Sequence, residues 1–176
     1  MRTRAFIAAR LLLFFPFLLL SAPPMWVRAD AAPGPVSADR IFIVKSSRTM
    51  TLLHGKEVLK VYKIALGTQP RGAKQRQGDH RTPEGRYRVD SKNPHSRFHL
   101  ALHLSYPNAI DRENASRLGV NPGGNIEIHG LPAGYAWVGA MQHRFDWTDG
   151  CIAVTNHEIE EIYPMVPVGT LVEIKP

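Results

Sequence analysis

Only one of the 176 residues is a cysteine. A single thiol cannot close an internal bridge, so a disulfide-stapled scaffold is excluded. The chain also lacks any run rich in Lys and Arg, and any interleaving of basic and aromatic residues, so nucleic acid is not an expected partner. It has no internal repeat and no alternation of strand-like with helix-like segments, which excludes a solenoid and a doubly wound sheet. No apolar run reaches the roughly 20 residues of a bilayer span. The longest, "LLLFFPFLLL" (11–20), has ten residues, although Ala22 to Val27 extends it.

That run has the surroundings of a secretory signal. Arg2, Arg4 and Arg10 precede it without an acid, and "SAPPMWVRADAA" (21–32) follows with small residues at two cleavage positions, after Ala29 or after Ala31. A basic start, a short apolar middle and a small-residue exit predict a signal peptide over 1–29. An uncleaved anchor is the alternative; with cleavage, no stable membrane span is expected, and the product lies in the periplasm or cell wall. Four of the 22 basic residues leave with the signal, so 18 face 15 acidic ones and the net charge falls from +7 to +3. A mildly basic domain permits an anionic substrate such as cell-wall material.

Residues 30–39, "DAAPGPVSAD", read as a linker, and 40–176 as one domain. "IFIVKSSRTMTLL" (41–53) and "VLKVYKIALG" (58–67) alternate and are joined by "HGKE", which predicts a β-hairpin. A Gly/Pro-punctuated loop then feeds "RYRV" (86–89). In "RFHLALHLSYPN" (97–108), Leu100, Leu102 and Leu104 share one face and His99, Ala101 and His103 the other. A short strand ends at His129, and 131–147 is irregular and aromatic-rich. Thr155 and Glu158 form a capping box for a helix carrying Ile159, Ile162, Tyr163 and Val166, with Pro164 expected to end it early. "VGTLVEI" (168–174) closes the chain as a strand. The expected fold is mainly β (α+β), a single sandwich or barrel domain with one or two short helices.

The lone thiol lies in "DWTDGCIAVTN" (146–156). Composition leaves three readings open: a buried inert thiol, an intermolecular disulfide, or a reactive nucleophile. A thiol attacks carbonyls only as thiolate, and an imidazole within reach supplies the base. His129 ends one strand and Cys151 begins another after a loop, so neighbouring strands can join them. A backbone carbonyl near Gly130 can hold the other ring nitrogen and fix the His129 tautomer, and Gly150 lets the backbone bend and aim N–H groups at an oxyanion. His143 is a reserve base. His95, His99 and His103 are four apart, but the leucine alternation places them on a strand rather than on a metal-binding helix face.

These residues resemble the L,D-transpeptidase catalytic domain of the YkuD type. Its signature is a histidine, a variable gap, then Ser/Thr-His-Gly-Cys, an apolar residue and Asn. The sequence reads His129-Gly130, a slightly longer gap, then Thr148-Asp149-Gly150-Cys151-Ile152-Ala153. "GDHRTPEGRYRV" (78–89) and "LHLSYPN" (102–108) extend the likeness over roughly residues 40–175. The resemblance implies a YkuD-like fold with Cys151 as nucleophile, His129 as general base and acid, Gly130 orienting it and Gly150 contributing to the oxyanion hole. It implies peptidoglycan stem peptides as substrate, and an amine from another stem or a wall-attached protein as acceptor. No metal or organic cofactor is implied. Thr148, Asp149, Arg144, Tyr106 and Trp147 are the expected substrate contacts. Asp149 replaces the second histidine and Ala153 the usual Asn or Arg, so Asp149 is expected to point away or pair with a cation such as Arg144. Three activities fit: transpeptidation, hydrolysis at the same site by a carboxypeptidase or amidase, and wall binding without catalysis.

Overall fold

A computed structural model describes residues 36–176; the expected signal peptide and most of the linker lie outside these residues. The last linker residues belong to the domain. Ala38 is fully buried and donates its N–H to Met165 O at 2.7 Å.

The first strand-like stretch folds as two strands. β1 (Arg40–Val44) and β2 (Thr49–His54) are antiparallel, and Lys45–Arg48 form the turn between them. Alternation continues across 41–53 because a four-residue turn hardly disturbs a period of two, which is why the break is not visible in the pattern. Arg48, at φ 51°, sits in the left-handed region that such a turn requires. β3 (Glu57–Lys63) completes the meander, β4 (Gly85–Ser96) and β5 (His99–Leu104) form a long hairpin, and β6 (Glu127–His129), β7 (Ile152–Ala153) and β8 (Leu171–Lys175) are short. The sheet order is β3-β2-β1-β8-β4-β5-β6-β7.

Two register shifts in the twelve-residue β4 bend it, one end pairing with β8 and the other with β5. The sheet therefore curls until its ends meet. Ala65, just beyond β3, exchanges two 2.9 Å hydrogen bonds with Ala153 in β7, and Gly67 bridges Thr148. Inside lie Ile41, Ile43, Leu52, Val89, Leu102, Leu104, Ile128, Ile152, Val172 and Ile174, the inward alternates of their strands.

α2 (Asn156–Met165) starts at the expected Thr155–Glu158 box and buries Ile159 and Ile162. Pro164 lacks one N–H but stops the helix only one residue later. α1 (Ala109–Arg117) has no counterpart in the sequence reading, because it buries only Ala115 and shows no apolar period. Its signal is the cap: Asn108 Oδ1 accepts from Ile110 and Asp111 N–H, and Asp111 Oδ2 accepts from Asn108 N–H. A 3-10 segment (Ala136–Arg144), kinked at Gly139, gives the aromatic-rich 131–147 stretch more order than expected.

Candidate active site

β6 and β7 are parallel, with Ile128 opposite Ile152 and His129 opposite Ala153. Ile128 and Ile152 face the core. Successive strand residues face opposite sides, so Glu127 and His129 face the other way, and extending the register by one sets Cys151 beside Glu127. His129 and Cys151 are therefore diagonal neighbours on adjacent strands, about 8 Å apart at the backbone, a span an imidazole and a thiol can share. Both side chains line one open groove of about 870 Å³.

His129 is 1% exposed. Its ring stacks on Phe98 at 4.3 Å between centroids and meets the edge of Trp147 at 5.8 Å. Trp147 is tied to Gln142 Oε1 at 3.0 Å, and Gln142 Nε2 donates to Ala153 O at 3.3 Å, so the wall that clamps the imidazole is fastened to β7. His129 Nδ1 lies 2.7 Å from Gly130 O. A carbonyl only accepts, so Nδ1 carries the proton and Nε2 keeps a lone pair. A side chain at Gly130 would crowd three neighbours at once, its Cβ 2.7 Å from Asn156 Oδ1 and 3.0 Å from both Ile159 Cγ2 and Phe98 O.

Cys151 is half-buried, and its Sγ lies 3.6 Å from Asn125 O. Thr148 shapes the turn before it: its Oγ1 donates to Cys151 O at 2.8 Å and accepts from Gly150 N–H at 3.1 Å. The Gly150 N–H is thus spent inside the turn, whereas that of Cys151 meets no acceptor among the described residues. Gly150 has φ +129°, and a Cβ would come within 2.6 Å of Arg81 O. Gly150 thus shapes the turn, with its N–H taken by Thr148 Oγ1, rather than offering that N–H to the groove.

Burial dominates the titration of both groups. It holds the His129 imidazole down at about 4, the Gly130 contact opposing and Arg97 assisting. Burial likewise lifts the Cys151 thiol to about 11, helped by the Glu127 and Asp149 charges and opposed by the Glu127 backbone and Lys74. At rest the thiol and the imidazole that line the groove are both neutral, so the imidazole does not act as a standing cation. This arrangement suits proton transfer that accompanies attack on a carbonyl.

Of the expected contacts, Trp147, Thr148 and Asp149 line the groove. Tyr106 does not. It is buried, edge-on to Tyr87, and its hydroxyl donates to Pro122 O at 2.8 Å, bracing from behind the 122–125 segment that forms one wall. Arg144 is exposed on the 3-10 segment, away from the groove, and Asp149 pairs instead with His80, at 2.8 Å. His143 lies 3.3 Å from Glu158, also outside the groove. His99 and His103 pair with Glu160 and Asp90. Sequence reading missed Lys74, His80, Phe98 and Glu127 as groove residues. For Lys74 a faint signal existed: Asp79, five residues on, holds its ammonium at 2.8 Å and has its own carboxyl lowered to about 2 by that contact and three backbone N–H groups, against burial.

A thiol and an oriented imidazole lining one groove of a curled sheet are the groups that the class of thiol–imidazole acyl-transfer sites uses. The sequence profile of the L,D-transpeptidase catalytic domain (YkuD) matches residues 38–174, and the chain belongs to that family. It is 35% identical over 138 residues to an Escherichia coli (strain K12) protein named "Putative L,D-transpeptidase YafK", covering 75% of this chain and 48% of that one. The crystal structure of the helical cell shape determining protein Pgp2 from Campylobacter jejuni is similar, with TM-score 0.60 and 25% identity over 80% of this chain and 49% of that one. An L,D-transpeptidase from Mycobacterium smegmatis shares the fold, with TM-score 0.53 and 17% identity over 79% of this chain and 59% of that one. The chain spans about half the length of the curated relatives it matches.

Proposed function

We propose that this chain is an exported cysteine L,D-transpeptidase that acts on peptidoglycan stem peptides through a thioester on Cys151. The supporting observation is the β6–β7 register, which carries His129 and Cys151 into one groove with the His129 lone pair left free by the Gly130 carbonyl. Cys151 attacks the amide carbonyl at an L-configured centre while His129 Nε2 takes the thiol proton, and the oxyanion forms against the Cys151 N–H. The C–N bond breaks as His129 returns that proton to the leaving amine, and a terminal D-amino acid departs. An amine from another stem or from a wall-attached protein then forms the new amide and frees the sulfur. The family and the cell-shape relative support a role in wall organisation. Residues 1–29 are read as the export signal, which places the enzyme in the periplasm or cell wall; among the described residues no helix is long and apolar enough to cross a membrane.

The test compares the native protein with Cys151→Ala on purified muropeptides. Cross-linked or amine-exchanged product from the native protein alone is expected. Trimmed monomer alone would make the enzyme a carboxypeptidase or amidase, and equal binding without turnover in both would make it a wall-binding domain. Export is checked by an N-terminus at Asp30 or Ala32 in protein recovered outside the cytoplasm.

A further inference from the structure

A second imidazole faces the groove and has no part in forming the thioester. His80 stands in the loop between β3 and β4, with φ 54°, a left-handed backbone uncommon for a residue with a side chain. Neighbouring backbone holds it there. His80 O accepts from Gln69 N–H at 3.0 Å, a Cβ on Gly67 would lie 2.2 Å from that same oxygen, and a Cβ on Gly150 would lie 2.6 Å from Arg81 O. Two glycines thus let residues 80–81 lie directly on the turn that carries Cys151.

From that position the His80 ring reaches Asp149, Nδ1 to Oδ1 at 2.8 Å. A carboxylate only accepts, so Nδ1 carries a proton and Nε2 is the nitrogen that Asp149 leaves unengaged, the orientation found in carboxylate–imidazole general bases. The two histidines therefore differ in kind. His129 is sealed behind Phe98 and Trp147 and held by a neutral carbonyl. His80 is 48% exposed and held by an anion that is itself 93% exposed, where an incoming molecule arrives from solvent. Of the groove's cations, Lys74 is engaged by Asp79 and by Arg76 O, and Arg97 lies over the Phe98 ring at 4.8 Å.

Resting on the reading of Cys151 above, we propose that His80, oriented by Asp149, is the general base for the acceptor that resolves the thioester. The acceptor nitrogen or water oxygen bonds to the thioester carbonyl as the C–S bond breaks. Its proton passes to His80 Nε2, which then releases it through the groove's solvent to the departing Cys151 thiolate, so both groups end neutral, as they began.

An exposed ion pair contributes little to folding, so the site can be altered without unfolding the protein. The exported protein, His80→Gln and Asp149→Asn are each followed in two assays: time-resolved intact mass during acylation by a penem, and product formation from a stem-peptide donor with an added D-amino acid as acceptor. For His80→Gln we expect acylation within about twofold of native, transfer slowed at least about tenfold, and a stem-peptide thioester accumulating in the mass spectrum. Asp149→Asn keeps an acceptor for Nδ1 and falls between the two. Native transfer by His80→Gln, or equal loss in both assays, overturns the proposal, the second outcome marking a structural role for the loop. A native protein that is never acylated overturns the reading of Cys151, and this proposal with it.

Discussion

Burial of the His129 ring has a cost that pH reveals. The unfolded chain binds a proton on this residue near pH 6.5, whereas the folded protein binds it only near 4. Its contribution to stability is therefore complete above the unfolded value and is lost as pH falls from about 6.5 to about 4. The shift corresponds to about 3 kcal/mol at the lower end of that window. The account predicts that denaturant unfolding of the native protein weakens over this range by that much more than unfolding of His129→Gln does. Comparing the two proteins cancels the carboxylates that titrate there, among them Glu127, which burial raises. Equal pH slopes would mean that the ring is open to water. At this scale the sequence was most informative, since His129, Gly130, Thr148, Gly150 and Cys151 lie in two short segments whose spacing reflects local chemistry. It was silent on His80 and nearly so on Lys74, which reach the groove because the loop between β3 and β4 folds over the turn that carries Cys151. Tyr106 was expected from the 102–108 stretch that resembles the family's and Arg144 as a partner for Asp149, and neither the strand's exit nor the 3-10 turn carries their side chains into the groove.

The element that carries His80 is a loop with no regular structure, so something else must hold it. Lys45, in the β1–β2 turn and 2% exposed, does so. Its three N–H groups go to Gly72 O at 2.7 Å, Thr82 O at 2.9 Å and Glu84 Oε1 at 2.8 Å, fastening both ends of the 72–84 segment. Removing one partner of such a buried set leaves the others unsatisfied. Lys45→Met is expected to cost about 3 kcal/mol of stability in denaturant titration and to speed amide exchange in 72–84 before the core strands are affected. Unchanged exchange in that segment would show that the loop is held otherwise. Strands and the α2 cap were legible because period two and a Thr-x-x-Glu box are local signals. The Lys45–Arg48 turn was hidden by alternation that runs through it, and α1 by the absence of an apolar face.

Across the whole molecule, sheet closure turns separated motifs into one site. The two edges meet where Ala65 pairs with Ala153 and Gly67 with Thr148. Asp146 seals the seam by accepting from Leu66 N–H at 3.0 Å and from Arg48 Nη2 at 2.6 Å. Mainly β character was readable from composition and punctuation, whereas closure was not, because it depends on bends in β4 and on two isolated bridges far apart in sequence. The most direct measurement of the central claim is intact mass after brief exposure to a penem. One covalent adduct is expected on the native protein, mapped to Cys151, none on Cys151→Ala, and acylation of His129→Gln slower by about a hundredfold or more. No adduct on native protein whose thiol still titrates, or acylation of His129→Gln at the native rate, would contradict it.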